Sequence, residues 1–251
     1  MKHPIPPHYL SDPIRIAVAG CGGNGSQMLS GLARLSIALK ALGHPGLAVC
    51  ANDPDNVSES NVGRQLFATA DVGQNKAMVL VNRLNCYYGL AWEASADARS
   101  TRVAGSAPHI LVSCVDSIAA RQQLAKTNCD YWLDLGNTDQ KGQVILGQTR
   151  AGWRYQSRTV HPGNDLSLSR PTRLPTVLDM YPELKKRGVT EDDRPSCSLA
   201  EALERQDLFV NQHIATWALQ LLWQFIRQAG LDIHGYFINL LTGRVTPLPI
   251  K

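Results

Sequence analysis

Apolar and polar positions change their period several times along this chain. After a proline-rich start that ends at Pro13, residues 15–19 (RIAVA) make a short apolar run that breaks on a glycine cluster, the pattern of a buried strand. A helix of apolar character is predicted over 24–42, stopped by Gly43. A second buried strand, 47–52, leads into the acidic loop Asp53-Pro54-Asp55. Over 74–88 the period is helical again, with Ala77, Leu80, Val81 and Leu84 on one face, and 110–115 predicts another buried strand. Strand and helix in alternation predict a parallel sheet.

Beyond Asp116 the pattern predicts a short helix over 118–127 and a strand over 131–135. Residues 143–148 are placed as an antiparallel strand at the sheet edge, where the sheet would be complete. Residues 157–200 are rich in Pro, Arg, Ser and Asp with little periodicity, so they are expected to form one long irregular connection, and such segments are usually functional. An apolar helix over 208–229 holds Trp217 and Trp223, and the ending YFINLLTGRVTPLPI, with a turn at Thr242-Gly243, predicts a hairpin. There is no internal repeat.

Composition adds bounds. A chain of 251 residues with 44% hydrophobic content can bury one large core, so a single domain over 1–251 is expected. The formal charge of +4, from 25 basic and 21 acidic residues, is spread without a block of like charge, which argues against nucleic acid as partner. The first residues, MKHPIPPHYLSDP, lack an apolar signal core, and no stretch approaches the roughly 18 to 20 apolar residues of a membrane span. A soluble, cytoplasmic protein without membrane contact is the expectation. The six cysteines include no C-x-x-C pair, and Cys50 and Cys114 sit in apolar runs, a usage that fits a reducing compartment.

The segment Gly20-Cys21-Gly22-Gly23-Asn24-Gly25 lies between a predicted strand and a predicted helix, the context in which a glycine motif points to a phosphate. Glycines 20, 22, 23 and 25 let backbone amides approach the ligand closely. Asp53, at the end of the second strand, stands where a carboxylate meets ribose hydroxyls. These features suit ATP and NAD equally. Downstream, Asp53-x-Asp55-x-Val57-x-x-Ser60-Asn61-x-x-Arg64-Gln65 and Asp71-x-Gly73-x-x-Lys76-Ala77 add two cations and an amide, useful for holding a triphosphate and neutralising a leaving pyrophosphate.

In this order the three pieces resemble the family of ThiF, MoeB and the ubiquitin-activating enzymes, over about residues 15–120, and the whole chain looks closest to the ThiF-family member of the bacterial PRTRC cassette. The resemblance implies an α/β, Rossmann-like, doubly wound and mainly parallel sheet with a C-terminal antiparallel extension. It implies that Asp53 contacts ribose, that Asp55 and Gln65 belong to the nucleotide site, that Asn61 and Arg64 contact phosphates, and that Lys76 neutralises the β- and γ-phosphates. Asp116, just past an apolar strand and with Arg121 following, matches the acid that helps hold Mg2+. The implied reaction is ATP-dependent adenylation of the C-terminal carboxylate of a small ubiquitin-like (β-grasp) carrier protein by a homodimer. Related homodimers often send an N-terminal arginine into the neighbouring ATP site, but here no arginine precedes Arg15.

Cys197, in RPSCSL, is the only cysteine placed outside an apparent core element. The resemblance implies a thioester with the carrier at such a position, and Arg194 nearby would favour the thiolate. His213 is expected to pack or cap its helix. Two other readings stay open: an NAD-dependent oxidoreductase on the same glycine loop, and a catalytically inactive nucleotide-binding scaffold.

Overall fold

In the computed structural model, residues 2–97, 100–149, 152, 173–185 and 206–250 are described. The parallel part of the main sheet is built from β2 (Ile14–Ala19), β3 (Leu47–Asn52), β4 (Glu93–Ser95), β5 (Ile110–Ser113) and β6 (Tyr131–Asn137). A two-residue strand, β1 (His3–Pro4), precedes them. The antiparallel part consists of β7 (Lys141–Gln148), β9 (Ile233–Asn239) and β10 (Arg244–Pro249), with β8 (Gly230–Leu231) pairing β1 in a small separate ladder. The eight-stranded order is β10-β9-β7-β6-β5-β2-β3-β4. The helices are α1 (Gly23–Ala41), α2 (Lys76–Tyr88), α3 (Ile118–Leu124), α4 (Val177–Met180) and α5 (Val210–Arg227).

Apolar runs buried on both sides explain the parallel half. Along β2, Ile16 and Val18 face one core with Val49, Val112 and Leu133, while Ala17 and Ala19 face a second core with Cys50, Leu111 and Trp132. The first core is covered by α1, α2 and α5, and the second by α3 and α4. Helices on both faces make the fold doubly wound, as expected. Helices α1 and α5 approach closely at Gly31, where a Cβ would meet the Leu219 side chain. A second approach, Asn211 against Gly23, brings the first turn of α5 beside the glycine loop.

The sequence expectations differ from the structure at the sheet edge. β7 is an interior strand: β6 pairs one side of it and β9 the other, so the sheet continues through β9 to β10. A strand's edge partner is set by residues almost a hundred positions away, which local pattern does not reveal. The predicted terminal hairpin is present as β9 and β10. The expected connection over 157–200 lies mostly outside the described residues. Its described part, 173–185, holds α4 with Val177 and Leu178 buried against the sheet. Among the described residues no helix is long and apolar enough to cross a membrane.

Candidate nucleotide-binding site

The glycine loop leaves the sheet between two neighbouring strands. The Gly20 amide donates to the Asn52 carbonyl at 2.9 Å and the Cys114 amide to the Ala19 carbonyl at 2.8 Å, tying the loop to the ends of β3 and β5. Gly20 has φ +87°, and a Cβ there would lie 2.8 Å from the Cys114 carbonyl oxygen; one on Gly25 would strike the Gly20 carbonyl oxygen. Neither position accepts a side chain. Gly23 abuts the Asn211 side chain from α5, whereas Gly22 has only the Gln65 amide near it, at ordinary contact distance. The first turn of α1 has neither a side-chain cap nor an acidic residue. Its amides and the positive end of the helix dipole therefore face the loop's concave side without a built-in anion.

Asp53 is 5% exposed and its two oxygens are divided between two amides: Oδ2 accepts from Cys21 at 2.5 Å and Oδ1 from Asp55 at 2.9 Å. Burial pushes its carboxyl above the usual range, opposed by those amides and by Lys76. Asn75 caps α2, accepting from the Met78 amide, and its Nδ2 donates to the Asp53 and Asp55 carbonyls. The cap thereby sets the start of α2, where Lys76 reaches back to Asp55 with Nζ 3.2 Å from Oδ2. Asp55 is the exposed partner of that pair and Lys76 the covered one.

Asn61 is buried, and its Oδ1 accepts from the Ser58 amide at 3.0 Å, closing the turn that carries Arg64 and Gln65. The Arg64 guanidinium donates through Nη1 to Gln206 Oε1 at 2.8 Å, and Asn211 Nδ2 donates to the same oxygen at 3.1 Å. Asn24 Nδ2 donates to Asn137 Oδ1 at 2.8 Å, joining α1 to the end of β6. Among the described residues, the buried side-chain polar atoms without a hydrogen-bond partner are Asn24 Oδ1, Arg64 Nε, Gln65 Oε1 and Asp134 Oδ2. Three of these four come from residues gathered round the glycine loop. Buried polar groups are normally paired, so this concentration marks a place prepared for a polar ligand.

Asp116 is exposed in the turn between β5 and α3, and Arg121 Nη1 donates to its backbone carbonyl at 2.9 Å. The same guanidinium donates through Nε to Asp134 Oδ1 at 3.1 Å, and Ser113 Oγ donates to that oxygen at 2.6 Å. Trp132 Nε1 completes the network on Ser113 Oγ at 2.7 Å. A fully buried acid in the run YWLDLGN is a polar residue inside an apolar strand, a signal visible in the sequence that its apolar flanks concealed. Gln206, Asn211, Asn24 and Asn137 were also missed, because amides in polar loops and helix ends carry no pattern.

A family model, that of the ThiF family, matches residues 10–246. The chain belongs to the ThiF family. Solved structures agree on the fold: E. coli MccB with MccA-N7isoASN has a TM-score of 0.57 at 17% identity, covering 97% of this chain and 66% of that one. PaaA has a TM-score of 0.55 at 15% identity, covering 94% and 64%, and E. coli MccB with ATP has 0.57 at 16%, covering 97% and 65%. The ThiF-family chain thus spans just under two thirds of the length of these solved relatives. No curated protein matches it.

Within this ThiF-family chain the cysteines divide differently from expectation. Cys86, on α2, is exposed, so the expectation that every cysteine other than Cys197 belongs to the core fails at Cys86. An amphipathic helix has a wet face, and Cys86 is on it. Cys197 itself lies outside the described residues. Cys21, Cys50 and Cys129 are buried, and burial pushes Cys50 to about 11 and Cys129 to about 12. Thiols held so far from ionisation are inert. His213 is exposed and its Nδ1 lies 3.0 Å from the Phe209 carbonyl, on its own helix.

Proposed function

We propose that this protein uses ATP to adenylate the C-terminal carboxylate of a small partner protein. The observation that carries the proposal is the set of unpartnered buried atoms of Asn24, Arg64 and Gln65 around an uncapped helix start. Asp53 stands ready for ribose, since each of its oxygens keeps a lone pair beyond the amide it already accepts. Arg64 and the amides of α1 hold phosphate oxygens, and Lys76 exchanges its contact with Asp55 for the β- and γ-phosphates.

The partner's carboxylate, ionised at neutral pH, attacks the α-phosphorus. A phosphorus–oxygen bond forms to the acyl oxygen, the bond to the bridging oxygen breaks, and pyrophosphate leaves with the electron pair. No protein base is needed, and the work of the site is alignment and neutralisation of charge. Asp116 would help hold Mg2+, which would supply positive charge to offset that of the phosphates. Among the described residues no group of three or more His, Cys, Asp or Glu could hold a metal.

E. coli MccB, which shares this fold, has been solved with ATP and with MccA-N7isoASN, and the ATP complex supports reading this chain as a user of ATP. For the present chain the proposed donor is a ubiquitin-like (β-grasp) carrier ending in a flexible tail, bound by a homodimer in the cytoplasm. The narrower likeness to the PRTRC cassette member belongs to this proposal too. Residues 1–251 would act as one adenylation domain, with 157–200 crossing over the tail and Cys197 taking the acyl group as a thioester with release of AMP.

The test is thermal and kinetic. ATP with Mg2+ is expected to raise the melting temperature where NAD does not. Radiolabelled pyrophosphate should enter ATP only when the carrier is present. Stabilisation by NAD alone would replace this proposal with the oxidoreductase reading, and stabilisation by ATP without exchange for any neighbouring small protein would favour a scaffold.

A further inference from the structure

The two cations of the site are held in different ways. Lys76 meets a carboxylate, Asp55, whereas Arg64 belongs to no ion pair among the described residues. Its guanidinium is half-buried, one nitrogen lacks any partner, and another donates to Gln206 at 2.8 Å. A guanidinium can only donate, so the Gln206 atom facing it must be the amide oxygen. The same oxygen accepts from Asn211, which is buried in the first turn of α5 and pressed against Gly23. A continuous line of contacts therefore runs from the glycine loop through Asn211 and Gln206 to Arg64.

We propose that Gln206, held by Asn211, is a neutral clamp that orients Arg64 toward an incoming phosphate without discharging it. The inference rests on the reading of this site as a phosphate site and deepens it. A carboxylate at position 206 would orient the guanidinium equally well and bind it more tightly, but it would satisfy the charge before the phosphate arrived. An amide supplies geometry alone. Burial lowers the arginine's pKa, and among the described residues no neighbouring acid opposes that shift, which matches a cation whose charge has not been met. Gln206 is thus a positioning residue: it acts through Arg64.

The discriminating variants are Gln206→Glu, which keeps the acceptor and adds charge, and Gln206→Met, which keeps length and removes the acceptor. A merely structural brace is satisfied by Glu and broken by Met. The clamp predicts the opposite order. The probe is inorganic pyrophosphate with Mg2+, titrated calorimetrically into the full chain, with melting temperatures recorded for each variant. Gln206→Glu is expected to weaken pyrophosphate binding by about tenfold or more while melting no lower than the wild type, and Gln206→Met by about threefold. Asn211→Ala, which frees the amide, should behave like Gln206→Met.

Equal or tighter pyrophosphate binding by Gln206→Glu, or weaker binding by Gln206→Met than by Gln206→Glu, would overturn the clamp, as would a wild type with no measurable affinity for pyrophosphate. If the expected order of affinities holds but no carrier supports ATP–pyrophosphate exchange, the clamp stands and the adenylation proposal falls.

Discussion

Asp53 and Cys21 form a single rigid unit: the carboxylate at the end of β3 accepts the amide of the glycine loop at the end of β2 across 2.5 Å. The acid proposed to bind ribose therefore also shapes the loop proposed to bind phosphates. Asp53→Ala leaves the Cys21 and Asp55 amides without acceptors, so loop and ribose contact fail together. ATP affinity, read by calorimetry, is expected to fall by about a hundredfold, with a stability loss of about 1–3 kcal/mol in urea. Unchanged affinity would remove Asp53 from the nucleotide site.

Gly25→Ala should be worse for the loop than Gly22→Ala. The added methyl at 25 overlaps the Gly20 carbonyl, while at 22 it meets only the movable Gln65 side chain. The expected cost at 25 is about 1–3 kcal/mol or more, with loss of nucleotide binding. Similar melting curves for the two variants would refute the packing argument.

Arg64→Ala and Asp116→Ala should each lower ATP–pyrophosphate exchange by about a hundredfold or more while leaving the fold intact, because Arg64 is partly exposed and Asp116 exposed. Raising Mg2+ should recover part of the Asp116→Ala loss and none of the Arg64→Ala loss. Recovery of both, or of neither, counts against the assignment at Asp116.

Asp134→Ala strands Arg121 and Ser113 in the interior. Removal of one partner from so buried a pair is expected to cost about 3–5 kcal/mol, seen as a lower urea midpoint. Arg121 also holds the Asp116 carbonyl, so any folded fraction should need more Mg2+ for half-maximal exchange.

Acid should destabilise the protein through buried histidines. Burial holds His3 and His109 at about 4, with His234 adding to the first, and Arg15 and His8 to the second. The unfolded chain takes up these protons near 6.5 and the folded chain only near 4. Their contribution is therefore complete above 6.5 and lost as pH falls toward 4. Urea midpoints measured across that window should decline, and His3→Gln should flatten the decline. A slope untouched by His3→Gln would show that other groups carry the acid sensitivity.

A covalent carrier conjugate, if formed, should be cleaved by excess small-molecule thiol through acyl exchange and be absent in Cys197→Ala, yet survive in Cys86→Ala, as read by intact mass. Cys86 is the control because it is an exposed thiol on α2. A conjugate that persists in Cys197→Ala would end the thioester assignment.

The sequence by itself determined the β-α-β half of the protein and the family. Ile14–Ala19 followed by a glycine cluster, and Leu47–Asn52 followed by an acid, are local signals: short apolar runs bounded by turn residues suit strands covered on both faces, and glycine positions are dictated by the backbone next to them. The motif of Asp53, Asn61, Arg64, Gln65 and Lys76 is local in the same sense, a matter of type and spacing within one stretch of chain, and the roles proposed for these residues and for Asp116 rest on the family resemblance.

Only the tertiary structure decided the rest. Whether β7 ends the sheet depends on β9, and what holds Arg64 depends on Gln206, 142 residues away. The Asp134 network joins three elements, and the wet side of Cys86 follows from which face of α2 packs. Each of these is a pairing between positions distant in sequence. Such pairings are chosen by burial and hydrogen-bond satisfaction across the whole fold, and periodicity along the chain holds no record of them.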